Sequence, residues 1–427
     1  VASMTPNDTK YGLYLQILKE ELIPAMGCTE PIAMAYAAAK ARSVLGALPD
    51  KIDIVISGNI IKNVKSVVVP NTGGLKGIAA AVAVGVAVGN ADKVLEVVAD
   101  VKEEEIHLVS EFMEKCEMTV MKSRSPKLLD IDLTLYKGSE SVRLRITDFH
   151  TNIVYIEKNG EVLLNKAEGG DDVCETDRSV LNVKEIVEFA ECVDLSLVSE
   201  LLEKQIEYNY AISEEGMKGD YGASIGKTLL ATRGEDIRVK ARAQAAAGSD
   251  ARMSGCELPV VIVSGSGNQG ITASLPVIVY AREMGASHEK LLRALVVSNL
   301  ITIHQKTPIG RLSAFCGAVS AGCGAAAGVA WLVDGTCEAV SATIVNTLGM
   351  ISGTVCDGAK PSCATKIASA VEAGLLGFDL YQNGHGLKGG DGIIKNDVEK
   401  TIQSVGQLAR EGMRQTDSEI LDIMLDD

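Results

Sequence analysis

The stretch GAVSAGCGAAAGVAWLV at residues 317–333 indicates the kind of core that this chain builds. It is strongly apolar and consists largely of glycine and alanine, and a second stretch of this kind covers residues 78–89. Both are shorter than the roughly 20 residues that a membrane-spanning helix requires. We therefore predict that both form buried helices, which approach their neighbours closely across small side chains, and we predict no association with a membrane.

The sequence on either side of these stretches predicts an α+β fold that is predominantly helical. From about residue 181 to residue 424, apolar residues recur at helical spacing, with Gly-rich breaks between the segments. Residues 131–164 predict three or four short strands, with turns at Lys137-Gly138-Ser139 and Lys158-Asn159-Gly160. The further predictions are helices at 11–22 and 30–45 and strands at 51–57 and 64–69.

These patterns predict a large all-α lobe and a smaller sheet-bearing α/β lobe. Residues 1–48 and 71–117 are predicted as helical segments that join the main lobe. Residues 49–70 and 118–170 are predicted to form the small α/β lobe. Residues 171–427 then form the large helical lobe, which carries the candidate metal-binding cysteines.

The charge of the chain excludes one class of partner. It has 56 acidic and 41 basic residues, for a formal net charge of −15, and no cluster of Lys and Arg interrupts this excess. Such a surface repels phosphate backbones, so we predict no nucleic-acid partner. Residues 1–10 lack the basic and apolar pattern of a signal peptide. We predict a soluble, cytoplasmic protein, and the sequence leaves open whether it forms a homo-oligomer.

Residues 265–270 match the Gly-x-Gly-x-x-Gly fingerprint of dinucleotide-binding proteins. A dinucleotide site also requires a second strand after the helix, and residues 289–303 have helical spacing instead. We therefore reject a nicotinamide site. The prediction that remains is a Gly-rich turn at the start of a helix, whose free backbone N–H groups suit a carboxylate.

Three of the ten cysteines differ from the others in their sequence context. They are Cys316, Cys356 and Cys363. Cys356 and Cys363 are separated by a segment with Gly and Pro, so the chain turns between them and can bring these two thiols to one site. Cys323 follows Cys316 by two turns of a predicted helix, about 10 Å along its axis, and is predicted to pack in the core. From spacing alone, an iron–sulfur cluster, a zinc ion and simple packing all remain open.

Cys28 lies in Gly27-Cys28-Thr29-Glu30-Pro31, immediately before a predicted helix. We predict Thr29 as the N-cap, with Pro31 in the first turn. A thiol at a helix N-terminus has a lowered pKa, because the helix dipole stabilises the thiolate. A buried, unreactive cysteine in a loop is the alternative that these residues leave open.

Taken together and in order, these motifs resemble those of the L-cysteine desulfidase family, which includes the YhaM-like proteins and is related to the α-chain of iron–sulfur L-serine dehydratases. The resemblance covers nearly the whole chain. The residues that carry it are 27–31, Pro70-Asn71-Thr72-Gly73-Gly74, 264–270, Cys316, Cys356-Asp357-Gly358-Ala359-Lys360 and Cys363.

The resemblance implies a [4Fe–4S] cluster held by Cys316, Cys356 and Cys363, with one iron free of protein cysteine. It also implies that Cys28 acts as the catalytic base. The residues implied to hold the carboxylate and amino group of a small amino-acid substrate are Asn71, Thr72, Gly73, Ser266, Gly267, Asn268 and Gln269.

We expect a lyase that needs no pyridoxal phosphate and takes L-cysteine to pyruvate, ammonia and hydrogen sulfide. An iron without a protein ligand is a Lewis acid and would make the substrate's sulfur a better leaving group. Dehydration of L-serine on the same site is the nearest alternative, and a non-catalytic amino-acid-binding protein is another. The sequence does not decide between these substrates, nor whether Cys28 is the base or a fourth cluster ligand.

Overall fold

The computed structural model describes residues 3–166, 175–310 and 313–426, and it confirms a predominantly helical α+β fold. The α-helices, in chain order, are α1 (Thr9–Glu21), α2 (Thr29–Leu45), α3 (Gly58–Val64), α4 (Ile78–Val88), α5 (Ile106–Lys115), α6 (Val183–Cys192), α7 (Ser199–Lys218), α8 (Ile225–Arg233), α9 (Ile237–Met253), α10 (Gly267–Glu283), α11 (His288–Ile309), α12 (Gly317–Asp334), α13 (Cys337–Ile351), α14 (Cys363–Gln382), α15 (Val398–Gln407) and α16 (Arg414–Leu425). The strands are β1 (Pro24–Met26), β2 (Lys51–Ile56), β3 (Glu117–Lys122), β4 (Asp130–Lys137), β5 (Glu140–Thr147), β6 (Ile153–Lys158), β7 (Glu161–Asn165) and β8 (Pro259–Val261).

The chain forms two compact units, each built from separate segments. The first, here called the helical unit, comprises Val1–Met26, Cys174–Cys356 and Pro361–Asp417. The second, here called the sheet unit, comprises Gly27–Val173, Asp357–Lys360 and Ser418–Asp427.

Helix α12 lies at the centre of the helical unit and packs against α10, α11, α13 and α14. Its glycines allow this close packing: a Cβ on Gly324 would lie 2.1 Å from the hydroxyl oxygen of Thr302 on α11, and a Cβ on Gly322 would lie 2.7 Å from the backbone of Ala370 on α14. Among the described residues, α12 is the one helix long and apolar enough to cross a membrane, and 83% of it is buried inside the protein. The stretch at 317–333 is thus a core helix, as predicted.

The sheet unit contains a six-stranded sheet in the order β3-β2-β4-β5-β6-β7. Strands β2 and β3 are parallel, and every other neighbouring pair is antiparallel. Alternate residues of β2 (Ile52, Ile54 and Ile56) are fully buried, as the predicted alternation requires. The three or four strands predicted for residues 131–164 are found as the four strands β4 to β7, with two-residue turns after Lys137 and Lys158.

The structure divides the chain differently from the predicted lobes. Helices α2 and α4 share one apolar core with the sheet, so residues 27–48 and 71–117 belong with the sheet and not with the main helical unit. Helices α2 and α4 pack closely against each other, because Gly85 of α4 has no side chain: a Cβ there would lie 2.1 Å from the carbonyl oxygen of Ala35 in α2. Helical periodicity predicts an apolar face but not the surface that covers it.

The predicted strand at residues 64–69 is wrong. Residues 58–64 form helix α3, and the β-branched residues that follow fold back in a tight loop instead of joining the sheet. In that loop the Val69 N–H donates to the Leu75 carbonyl, and the Gly77 N–H donates to the Val67 carbonyl. Local β-propensity was therefore outweighed by the turn at Asn71 to Gly74, which has positive φ angles at Asn71, Gly73 and Gly74.

Candidate active site

Cys316 and Cys356 lie on two short extended segments of the helical unit that run side by side. The Cys316 N–H donates to the Thr354 carbonyl at 2.9 Å, and an antiparallel bridge joins Phe315 to Val355. Cys316 is also the N-cap of α12, which places its thiol at the start of the central helix. This pairing fixes the spacing of two of the three predicted cluster ligands.

Cys363, the third predicted ligand, is the first residue of α14, which packs directly against α12. All three cysteines are half-buried. The pKa of the Cys316 thiol is raised to about 11, first by burial and then by the negative charges of Cys356 and Cys363, while the Ala318 N–H and the Lys366 ammonium act to lower it. The three thiols are therefore close enough for the charge of one to affect the ionisation of another.

The three cysteines offer thiols as the only donors named by the motifs, and the kind of metal group that thiols suit can be considered from their chemistry. Among the residues that the structure describes, no group of three His, Cys, Asp or Glu side chains could hold one ion. A cluster places a different demand on its ligands, because each thiolate binds its own iron and the sulfurs stay farther apart. Thiols that resist ionisation beside one another ionise when a metal cation joins them. This donor set, three thiols with no oxygen or nitrogen ligand, is the one that iron–sulfur clusters use.

Lys306 on α11 is a charged residue near these thiols that the sequence did not single out for chemistry. Burial lowers its pKa, while the negative charges of Cys356, Cys316 and Glu21 oppose that effect. His304, two residues earlier, is only 4% exposed, and its Nε2 lies 2.7 Å from a carboxylate oxygen of Glu399. His304 is thus a buried core residue whose imidazole is paired with a carboxylate.

The Gly-rich loop at residues 264–270 leads into α10 in the helical unit. Ser264 and Gly265 have positive φ angles, and Ser266 is the N-cap, whose Oγ accepts a hydrogen bond from the Gln269 N–H at 3.3 Å. A Cβ on Gly270 would lie 2.0 Å from the carbonyl oxygen of Val261 in β8, so this loop can approach the strand only with glycine there. Strand β8 has three residues and pairs, among the described strands, only with β1, and α10 is followed by α11, so the described residues around this loop form no βαβ unit.

Gln269 connects this loop to the cysteine site. Gln269 is 8% exposed. A Cβ on Gly317 would lie 2.1 Å from the Gln269 Nε2, so the two residues are in close contact. Gly317 directly follows Cys316, so the Gln269 amide lies beside the first turn of α12. The structure thus brings together two predicted groups, the Ser266–Gln269 loop and the cysteines.

The Asn71–Gly73 loop belongs to the sheet unit, and its polar side chains hold the loop itself together. Thr72 is 1% exposed, and its hydroxyl donates to the Val69 carbonyl at 2.6 Å and accepts from the Leu75 N–H at 3.1 Å. Asn71 is exposed and donates from Nδ2 to the Val98 carbonyl at 3.1 Å. These contacts are turn chemistry, and the role of this loop in substrate binding stays a prediction.

Cys28, also in the sheet unit, is the N-cap of α2, one residue before the predicted N-cap Thr29. Its thiol makes no capping hydrogen bond and donates instead to Oε2 of Glu30 at 3.1 Å, with the Asn63 carbonyl at 3.5 Å. His150 Nε2 lies 3.7 Å from the other oxygen of Glu30. The structure therefore groups a thiol, a carboxylate and an imidazole.

The Glu30 carboxylate is held in its ionised form despite burial. Burial alone raises its pKa, but the His150 imidazole nearby and the hydrogen bond from the Cys28 thiol lower the pKa below its ordinary value. The sequence missed Glu30 and His150 as partners of Cys28. The motif at 27–31 contains Glu30, but only the pairing of distant strands places His150, 120 residues later, against it.

Comparison with known proteins agrees with the relation predicted to the serine dehydratases. A family model described as the serine dehydratase alpha chain matches residues 92–422. A UPF0597 protein of Desulfitobacterium hafniense is 56% identical over 423 residues, which cover 99% of this chain and 98% of that protein. UPF0597 proteins of Treponema denticola (49% identical; 99% of this chain, 100% of that protein) and Lachnoclostridium phytofermentans (50% identical; 97% of this chain, 100% of that protein) are similar along their whole lengths. This chain belongs to the serine dehydratase alpha chain family, a family of lyase-type enzymes.

Proposed function

We propose that the protein is a [4Fe–4S] lyase, independent of pyridoxal phosphate, that eliminates sulfide from L-cysteine to give pyruvate, ammonia and hydrogen sulfide. The observation that carries the proposal is the arrangement of three thiols: Cys316 and Cys363 are at the starts of α12 and α14, and Cys356 lies on the segment that pairs with Cys316. The Gln269 amide lies beside the first turn of α12. Cys316, Cys356 and Cys363 would hold the cluster. Its iron without a protein ligand would supply Lewis-acid assistance to the leaving sulfur.

The first turn of α10 would orient the substrate. The N–H groups of a helix N-terminus carry partial positive charge and suit a carboxylate. The side-chain oxygens Asn268 Oδ1 and Gln269 Oε1 are buried and accept no hydrogen bond from any described residue. They are therefore suited to accept hydrogen bonds from the α-ammonium group of an amino acid.

According to the resemblance to the cysteine desulfidases, Cys28 would be the base that removes the α-proton of the substrate. In the structure the Cys28 S–H donates to the ionised Glu30 Oε2, so we infer that Glu30 orients Cys28, whose thiolate form is the base. The thiolate then accepts the α-proton, and sulfide leaves from the β-carbon as the carbon–carbon double bond of aminoacrylate forms. Aminoacrylate hydrolyses to pyruvate and ammonia without help from the enzyme.

Dehydration of L-serine is the second candidate, and the match to the serine dehydratase alpha chain model favours it. The same residues would bind the amino acid, and hydroxide would leave in place of sulfide. The two activities differ only in the leaving group. We place the protein in the cytoplasm under either activity, where a cluster with an open iron is protected from oxidation.

The test is to reconstitute the cluster anaerobically and to measure pyruvate and sulfide from L-cysteine and L-serine side by side. Sulfide with equimolar pyruvate from L-cysteine supports the desulfidase, and pyruvate from L-serine alone supports the dehydratase. Protein that is loaded with iron but forms no product from either substrate would remove the lyase proposal and leave an amino-acid-binding protein.

Variants of the cysteines test the ligand assignment in the same assay. Cys316→Ala, Cys356→Ala and Cys363→Ala are each expected to lose iron and activity. Cys337→Ala is the matched control, because Cys337 is likewise a half-buried cysteine at the start of a helix but contacts Ser341 and not the other three thiols. Full iron content in any of the three ligand variants would contradict the assignment.

A further inference from the structure

Arg252, in the last turn of α9, carries a positive charge that no described residue neutralises. Its buried Nε has no hydrogen-bond partner, and the side chain makes no ion pair with any described residue. Asp250, two residues earlier on α9, makes no ion pair with Arg252, and its Oδ2 accepts from the Gly226 N–H at 3.0 Å. The Arg252 side chain is half-buried with its Nε shut off from water, and burying a guanidinium N–H without an acceptor is unfavourable, so its position favours a ligand with negative charge.

The guanidinium lies directly over the start of α10. A Cβ on Gly267, the first residue of that helix, would lie 2.2 Å from Arg252 Nε and 2.5 Å from Cζ. Two features that attract anions therefore meet at one place: the free N–H groups of the first turn and a fork of guanidinium donors. They repel one another unless an anion lies between them.

Two buried acceptors at the start of α10 suit a ligand that has hydrogen-bond donors as well as a negative charge. Gln269 is 92% buried, since 8% of it is exposed, and its Oε1 has no hydrogen-bond partner among the described residues. The buried Oδ1 of Asn268 also has none. An α-amino acid has a carboxylate for the guanidinium and an ammonium group for these two oxygens.

We propose that Arg252 recognises the α-carboxylate of the substrate through paired hydrogen bonds from its guanidinium at the N-terminus of α10. The proposal rests on the proposed function only in taking the anion to be that of an amino acid. Because Gln269 lies beside Gly317, a carboxylate held by Arg252 directs the rest of the amino acid toward Cys316. Arg252 thereby selects amino acids over amines that have the same side chain.

The probe for this role is L-alanine, which has the carboxylate and the ammonium group but no leaving group on its β-carbon. L-alaninamide is its matched partner, because it keeps the ammonium and the methyl group and replaces the carboxylate with a neutral amide. Binding of both to the reconstituted full-length protein is measured by anaerobic calorimetry. Wild-type protein is expected to bind L-alanine roughly tenfold or more tightly than L-alaninamide, as a charge-assisted paired hydrogen bond implies.

Arg252→Met is expected to abolish this preference, and Arg252→Lys to restore part of it. Gly267→Ala is a second variant that keeps the charge but displaces the guanidinium, and it is expected to reduce the preference too. Arg242→Met is the control, because Arg242 is a half-buried arginine on the same helix that already pairs with Glu372 at 3.1 Å. It is expected to retain the wild-type preference.

The outcomes separate this proposal from the proposed lyase. If Arg252→Met folds and still prefers L-alanine as wild type does, or if wild type shows no preference, the role of Arg252 is overturned even when sulfide is released from L-cysteine. If wild type shows the preference and Arg252→Met loses it, the role of Arg252 holds even when neither L-cysteine nor L-serine is converted.

Discussion

Replacing Gly317 with alanine is expected to reduce activity strongly while leaving iron content and folding unchanged. A Cβ at this position would lie 2.1 Å from Gln269 Nε2, and real Cβ atoms essentially never approach a neighbour more closely than 3.0 Å. The amide must therefore retreat by about 0.9 Å, the difference between these distances. A misplacement of ~1 Å near a reacting group can lower a rate by ~100-fold.

We therefore expect kcat/KM to fall between about 10-fold and 100-fold, which corresponds to about 1.4 to 2.7 kcal/mol of transition-state stabilisation. The cost to folding is small, because the displaced atoms belong to the flexible end of a long side chain. The assay compares kcat/KM for pyruvate release, iron per chain and the thermal midpoint of unfolding.

Gly12→Ala on α1 is the matched control, since no atom lies within 4 Å of the added Cβ. It is expected to keep full activity and to stabilise the helix by about 0.5 to 1 kcal/mol. Wild-type kcat/KM in Gly317→Ala would refute the reasoning. So would a double variant of Gly317→Ala and Gln269→Ala that loses much more activity than Gln269→Ala alone, because removing the Gln269 amide relieves the clash.

Three further predictions concern the cysteines and Glu30. Cys356→Ala is expected to lose the visible absorption of the cluster. Cys323→Ala is the control and is expected to keep this absorption, because Cys323 is fully buried in α12. Equal absorption in the two variants would contradict the ligand assignment. Glu30→Gln should keep iron but lower kcat by ~100-fold with KM little changed, because the Cys28 thiol loses the carboxylate that orients it; normal kcat would exclude this role of Glu30. Burial raises the pKa of Cys323 to about 12, so its thiol stays protonated in the folded chain at a pH where the unfolded chain loses that proton. The free energy of unfolding should therefore fall as pH rises from about 8.5 toward 12. Denaturant unfolding of Cys323→Ala should show a smaller fall over this pH range, and a fall as steep as that of wild type would contradict the prediction.

The depressed pKa of Glu30 gives a prediction of opposite sign at low pH. A carboxyl group whose folded pKa lies below its unfolded value stabilises the fold above the unfolded pKa, which is about 4.3, and loses that contribution as pH falls through the folded pKa. Glu30→Gln should therefore show a smaller loss of thermal stability than wild type between about pH 5 and pH 3. An equal loss in both proteins would mean that His150 does not hold Glu30 in its ionised form.

Local patterns in the sequence predicted most elements of the fold. The hairpin turns after Lys137 and Lys158 and the apolar periodicity of α12 each depend on neighbouring residues, and the structure has them as predicted. The strand predicted at 64–69 failed because a tight loop competes for the same backbone groups. The division into lobes failed because the helical pattern of α2 contains no information about whether a sheet or another helix covers it.

The candidate site was predictable only as far as its motifs extend. Motifs identified the three thiols, the loop that begins α10, and Cys28. They could not identify Arg252 or His150, because each becomes relevant through a contact with a residue far away in sequence or on another element. A buried polar atom without a partner is a property of the folded chain, and no spacing rule reveals it.

The small side chains of α12 also limit how this protein can be mapped by mutagenesis. Ten of the eighteen residues of α12 are glycine or alanine, and six of them are alanine. An alanine scan would leave those six positions unchanged and would report this helix, which begins at a proposed cluster ligand, as largely insensitive. Replacing these small residues with valine or leucine is instead expected to lower activity or stability. The size of that loss at each position would measure how rigidly α12 holds its first turn.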